Sequence, residues 1–267
     1  MTNENRCVLR QYCREAGTDL CVDTCPFFVA LHGDDGLTGI MARSGVRKEY
    51  RLRTLDDPAL AEIRADSVVT LPDGQTIRKT DMVLRDELAR YVRTFNRHIE
   101  RGEQIKSMYI YSPNPGNGKT LSASILVNEY TLRHFLVSRS NHRPINVRPA
   151  FFLSMHDWHS KYHEFNRPNI DAAVGSVASI EYYEAYRTAK HVPFLVIDDI
   201  GASDSSDGFR RDLIDILDHR VSNQMPTVYT SNIPLESLDV GFRGIDRIRD
   251  MCIPIEILGD SKRGIRR

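Results

Sequence analysis

Residues 111–120 read Tyr-Ser-Pro-Asn-Pro-Gly-Asn-Gly-Lys-Thr. The closing Gly118-Lys119-Thr120 fits the end of the phosphate-loop pattern G-x-x-x-x-G-K-[ST], with Pro113 where the first glycine usually stands. In such a loop the lysine ammonium reaches the β- and γ-phosphates and the threonine hydroxyl binds Mg²⁺. Pro115, Gly116, Asn117 and Gly118 would wrap the phosphates, the two glycines supplying backbone angles and a close approach that a side chain would block. Proline at position 113 removes one N–H but can still shape the turn out of the preceding strand. The bland alternative is a surface turn with an incidental Gly-Lys-Thr. A strand before the loop and a helix after it weigh against that alternative.

Two further strand ends carry groups that suit the same chemistry. Phe194-Leu-Val-Ile-Asp-Asp-Ile-Gly201 is an apolar run closing on two acids, where open α/β sheets bind ligands. Asp198 would hold Mg²⁺ through water, and Asp199 would orient or activate an attacking water. Read alone, the pair could equally be solvated aspartates capping a strand. Pro226-Thr-Val-Tyr-Thr-Ser-Asn232 is a second strand, and the Asn232 amide could touch a γ-phosphate or that water. Asn232 could also be only a turn former. Arg247 and Arg249, in Asp246-Arg-Ile-Arg-Asp250, lie two positions apart and cannot share a helix face. At most one of them would reach a nucleotide held by a neighbouring subunit.

The elements that position these groups follow from periodicity. Residues 81–102 carry apolar positions at helical spacing and stop at Gly102. Strands are expected around residues 106–112, 149–155, 191–201, 226–232 and 252–258. Helices are expected over 119–136, 156–165 and 208–224. Alternating strands and helices, with strands apolar on both faces, indicate an α/β fold with a parallel sheet covered on both sides. Residues 33–80 read as an irregular stretch and linker. His156, His159 and His163 have metal-like spacing, but an amphipathic helix with exposed histidines fits better, with Trp158 packed beneath it. Tyr182–Arg187 (YYEAYR) suits a core or a DNA-facing edge.

Four of five cysteines, Cys7, Cys13, Cys21 and Cys25, fall in the first 25 residues. Their spacing lacks paired C-x2-C knuckles, yet four thiolates around Zn²⁺ would stabilise a segment too short for its own core. Buried free thiols, an iron–sulfur cluster and His32 as a substitute zinc ligand are the alternatives. Lys plus Arg equals Asp plus Glu at 36 each, so any nucleic-acid contact must be local. No run of about 18 apolar residues and no signal-peptide pattern occur, so the expected location is cytoplasmic.

Together, Gly118-Lys119-Thr120, the Asp198-Asp199 strand, the Asn232 strand, the Asp246-Arg-Ile segment and the closing G-x-S-x-R resemble the ATPase domain of DnaC/DnaI-type replicative helicase loaders, which are AAA+ P-loop proteins. The resemblance covers residues 81–267 and implies an AAA+ core without a separate C-terminal lid. It makes Lys119 and Thr120 the Walker A residues, Asp198 and Asp199 Walker B, and Asn232 sensor 1. It also makes Arg247 the arginine finger and Arg263 a sensor-2-like arginine. Asp199 stands where many AAA+ proteins have glutamate, a shorter reach that would slow hydrolysis. The implied cofactors are ATP, Mg²⁺ and, in the cysteine segment, Zn²⁺. The implied partners are a replicative DNA helicase, single-stranded DNA and further copies in the ATP state. On this reading residues 1–78 form the helicase-contacting module and linker, and 79–267 the ATPase domain. An IstB-like transposition ATPase and a nucleotide-switched adaptor share the motifs and stay open.

Overall fold

A computed structural model describes residues 6–70, 75–201, 206–238 and 245–259. Its seven strands are β1 (Arg64–Thr70), β2 (Thr76–Val83), β3 (Ser107–Tyr111), β4 (Ala150–Ser154), β5 (Phe194–Asp198), β6 (Thr227–Ser231) and β7 (Cys252–Ile257). They form one sheet in the order β2-β1-β7-β3-β6-β5-β4. The five strands from β7 to β4 are mutually parallel, as the apolar runs predict. The β1–β2 hairpin joins antiparallel at the β7 side.

Period-two alternation sorts the strand side chains into two cores. Met108, Ile110, Val196 and Val228 face one side, and Tyr109, Leu195, Ile197 and Tyr229 the other. Helices α1 (Pro26–His32), α2 (Ile40–Arg43) and α3 (Pro58–Glu62) precede the hairpin. Then α4 (Leu84–Val92), α5 (Phe95–Arg101) and α6 (Lys119–Ser140) cover the first side. Helices α7 (Met155–Phe165), α8 (Ala172–His191) and α9 (Asp207–Ser222) cover the second, and α10 (Ile245–Met251) leads into β7.

Several expectations change. The helix expected from residue 81 begins only at Leu84, because Asp81–Val83 complete β2 and Asp81 N–H donates to Asp66 (2.9 Å). It also breaks at Thr94, whose hydroxyl bonds back to the Tyr91 carbonyl (2.6 Å). Gly102 does end α5 in the left-handed conformation. The stretch 33–80 is not a free linker: Val46, Leu60, Ile63 and Ala65 belong to the core under α6. The boundary drawn after residue 78 falls inside β2. Within Tyr182–Arg187, Tyr182 stacks on Trp158 in the core (5.0 Å between centroids), whereas Tyr183 is exposed. On α7, His156 and His163 are exposed and His159 is half-buried; ring nitrogens of His159 and His163 lie 2.9 Å apart, and the His159 ring packs on Phe209 (4.6 Å between centroids).

The second core is pinned by an arginine. Arg220 on α9 is fully buried and donates to Thr227 Oγ1 and to the carbonyls of Ala189, Val192 and Pro226, at 2.8–2.9 Å. It ties the end of α8 to the start of β6. Burial lowers its pKa to about 10, so it stays charged and donating at neutral pH. Truncation to alanine removes the Arg220 donors from the Ala189 and Val192 carbonyls, each costing roughly 1–3 kcal/mol when buried, while the Pro226 carbonyl keeps the Leu195 N–H (3.4 Å). Urea unfolding of Arg220→Ala is expected to show a loss of about 3 kcal/mol or more.

Candidate nucleotide site

The strand order brings the C-terminal ends of β3, β6 and β5 side by side, and each delivers one part of the site. From β3 the chain turns through Pro113 into the loop and then into α6. Gly116 and Gly118 adopt φ of +78° and +106°, as a loop folding back on itself requires. A β-carbon on Gly118 would also lie 2.6 Å from Ile63 Cδ1, so the loop is packed from below. Lys119 Nζ donates to the carbonyls of Ser112 and Asn114, both at 3.1 Å. Those carbonyls flank Pro113, so the proline shapes the turn around the lysine. Asn117 closes the loop by donating to Ser112 Oγ.

At the end of β5, Asp198 is buried and faces the first turn of α6. Thr120 Oγ1 lies 3.3 and 3.2 Å from its two carboxylate oxygens. Thr230 Oγ1 on β6 donates to Asp198 Oδ1 (2.7 Å) and accepts from the Asp199 N–H (2.8 Å). Asp199 sits at φ +68°, a left-handed backbone that costs a non-glycine residue about 1–2 kcal/mol. Its carboxylate accepts from Asn232 Nδ2 (3.0 Å). One chain of hydrogen bonds thus runs from Thr120 through Asp198, Thr230 and Asp199 to Asn232. Thr230 is a residue that sequence reasoning missed; its only signal was its place beside Ser231-Asn232 on a strand already chosen.

Burial raises the Asp198 pKa, partly offset by the bonds from Thr230 and Thr120, while Asp199 raises it further and Arg47 lowers it. A buried carboxylate beside a hydroxyl offers the hard oxygen ligands that Mg²⁺ prefers. The residues therefore fit the ion expected from the sequence. Thr120 and Asp198 would hold it, and it would supply the positive charge that the carboxylate lacks.

The remaining expected residues are placed differently. Arg249 is tied down within its own chain, donating to Asp246 (2.8 Å) and to the Glu236 carbonyl (2.9 Å). Arg247 is exposed and pairs with no described residue. Arg263 lies outside the described residues. Cys7, Cys13, Cys21 and Cys25 are half-buried and line one largely apolar cavity of about 430 Å³. Burial pushes the Cys7 thiol up, and the other three thiols add to the rise. Among the described residues no group of three or more His, Cys, Asp or Glu is gathered to hold a metal, so the expected zinc set is not assembled. His32 does not substitute as a ligand through Nε2, because that nitrogen accepts the Val8 N–H (3.1 Å). Burial lowers its pKa to about 4, which keeps it neutral and accepting.

The raised Asp198 pKa has a sign that can be checked. The folded state holds this proton more tightly than the unfolded chain, so metal-free stability falls as pH rises from about 4 through the raised value. Without metal, Asp198→Asn is expected to raise the melting temperature at pH 7. Scanning calorimetry with and without Mg²⁺ and nucleotide reads this. The variant should also lose the Mg²⁺-dependent stabilisation of the native protein.

No family model matches the chain. It is 24% identical over 207 residues to the replicative helicase loader DnaI of Bacillus subtilis (strain 168), covering 71% of this chain and 58% of that one. The match thus spans little more than half the length of that relative. A solved chain from Streptococcus pyogenes serotype M3, described as a primosome component, superposes with a TM-score of 0.51 at 19% identity. That match covers 84% of this chain and 97% of the other. The DnaC helicase loader gives a TM-score of 0.47 at 19% identity, over 79% of this chain and all of that one. The sheet order and loop make this an AAA+ P-loop fold, and the chain is similar to the DnaC/DnaI-type helicase loaders.

Proposed function

We propose that the chain is an ATP-dependent loader that binds a replicative hexameric helicase and places it on single-stranded DNA. The ATPase part of this reading is carried by the bond chain from Thr120 to Asn232, which links the phosphate loop to the paired acids, and the loader part is supported by the likeness to DnaI. Lys119 and Thr120 bind the phosphates and Mg²⁺, and Asp199, oriented by Asn232 and Thr230, holds the attacking water. Transfer of the water proton to the Asp199 carboxylate frees the oxygen to attack the terminal phosphate, with ADP leaving. The strained backbone at Asp199 fixes where that carboxylate points. Its shorter side chain suits slow turnover.

Arg247, exposed and unpaired among the described residues, serves as the arginine finger of a neighbouring copy in the ATP state, and Arg249 serves its own chain. Arg263 is assigned the sensor-2-like role on the resemblance alone. The part before residue 44 faces the helicase, and the β1–β2 hairpin stays with the ATPase domain. Zn²⁺ would draw the four cysteines lining the shared cavity into one tetrahedral set. Thiol modification of the purified chain should then release about one zinc per molecule, read with a chromogenic chelator; no released zinc removes this part of the reading.

Lys119→Ala should lower phosphate release from Mg·ATP by roughly 10²-fold or more. Thr230→Val should cost about 10–100-fold while nucleotide still binds. Unchanged turnover in Lys119→Ala sinks the assignment. Co-purification with a replicative helicase that requires ATP supports the loader, whereas capture by a transposase points to the transposition ATPases.

A further inference from the structure

Arg47 has no role in the site built above, yet the fold fixes it beside the end of β4 and the start of α7, next to the strand that carries Asp198. The Ser44 carbonyl accepts from Phe152 N–H (2.7 Å), so residues 44–46 run along the outer edge of β4. Gly45 has φ +76°, and a β-carbon there would lie 2.5 Å from the Phe152 carbonyl, so the chain approaches the strand closely. Val46 is buried in the core beneath α6, and its carbonyl accepts from Arg51 Nε (3.0 Å). These contacts anchor the backbone and leave the Arg47 side chain half-exposed.

That side chain reaches Asp157 in the first turn of α7, at 3.7 Å. Both groups are at least half in solvent, so the bridge is weak and readily exchanged. Asp157 N–H is capped by Ser154, and Ser154 is the register partner of Asp198 on the neighbouring strand. Ser154 thus brings the Arg47–Asp157 pair to the strand end beside the one that carries Asp198, which in turn faces Thr120. A guanidinium with one weak partner therefore stands one strand away from the end of β5, where Asp198 and Thr120 are expected to hold Mg²⁺.

The geometry points to Arg47 as a phosphate-sensing residue supplied in cis, which exchanges Asp157 for the terminal phosphate of a bound nucleoside triphosphate. This rests on the nucleotide-site reading above. The planar fork of arginine matches phosphate oxygens in a bidentate manner, and a triphosphate carries far more negative charge than one solvated carboxylate. A diphosphate lacks the group that Arg47 would grip. Because residues 44–46 follow directly from α2, the same exchange places a contact to the triphosphate on the segment leaving the N-terminal part of the chain.

The test is a titration of the full chain, with Mg²⁺, against the fluorescent N-methylanthraniloyl forms of ATP and ADP. Arg47→Ala should weaken the triphosphate about tenfold and the diphosphate less than about twofold. Arg47→Lys should fall between, since lysine keeps the charge without the fork. Asp157→Asn, which releases Arg47, should bind the triphosphate at least as tightly as the native chain. An unchanged ATP-to-ADP affinity ratio in Arg47→Ala overturns the inference, as does weaker triphosphate binding in Asp157→Asn. If the native chain binds neither nucleotide, or Lys119→Ala binds both as well as the native chain, the nucleotide-site reading fails and takes this inference with it.

Discussion

Asp198 brings a negative charge to the end of a strand whose residues are all buried, where an isolated carboxylate is strongly disfavoured unless hydrogen bonds or a cation offset its lost hydration. Two threonine hydroxyls do part of this. One comes from the first turn of α6 and the other from β6, so the helix start and the neighbouring strand must both arrive at the same point. That requirement fits the sheet order: β6 lies between β3 and β5, so a residue at its end lies beside both the phosphate-loop strand and the acids. Thr230 is such a residue, donating to one acid and accepting from the backbone of the next. What the hydroxyls leave uncompensated is a site for positive charge, and the raised proton affinity of Asp198 is its signature.

Strain and softness are distributed unevenly around this point. Asp199 is held in a left-handed conformation by bonds to its N–H and its carboxylate, both from β6 or the residue after it. The phosphate loop instead uses glycines where the backbone is unusual and a proline where the turn begins. The loop is held from outside by Ile63 beneath Gly118 and by the Asn114 amide donating to the Gly259 carbonyl (3.0 Å), whereas Asp199 takes its bonds from β6 and the residue after it.

What could be read in the sequence was what depends on local chain chemistry. The phosphate loop, the paired acids and Asn232 announce themselves by residue type at the end of an apolar run. The five parallel strands are legible because each is a short, continuous apolar segment. The β1–β2 hairpin was missed because β2 is an exposed edge strand with scarcely any apolar alternation, so it resembled a linker. The break at Thr94 rests on one hydroxyl returning to a carbonyl, which periodicity cannot register. Thr230 and Arg47 were invisible for a different reason. Each gains its meaning from residues about 30 to 150 positions away, brought near by strand order rather than by spacing. The cysteines are the converse case: their density suggested a metal, but density in sequence does not itself assemble a coordination shell.

Helix α6 begins at Lys119 and Thr120 and, near its far end, places Leu132 and Phe135 in a small core with Val8, Leu31 and Met41 of the N-terminal part. Its 22 residues make a rod about 33 Å long at 1.5 Å per residue. One rigid body therefore has its head in the phosphate loop and its tail in the module that carries the cysteines. A tilt of about 1° at the head displaces the tail by roughly 0.6 Å over that length. Any tilt of α6 at its phosphate-loop end would therefore be carried over its full length to the packing of Phe135 against its neighbours.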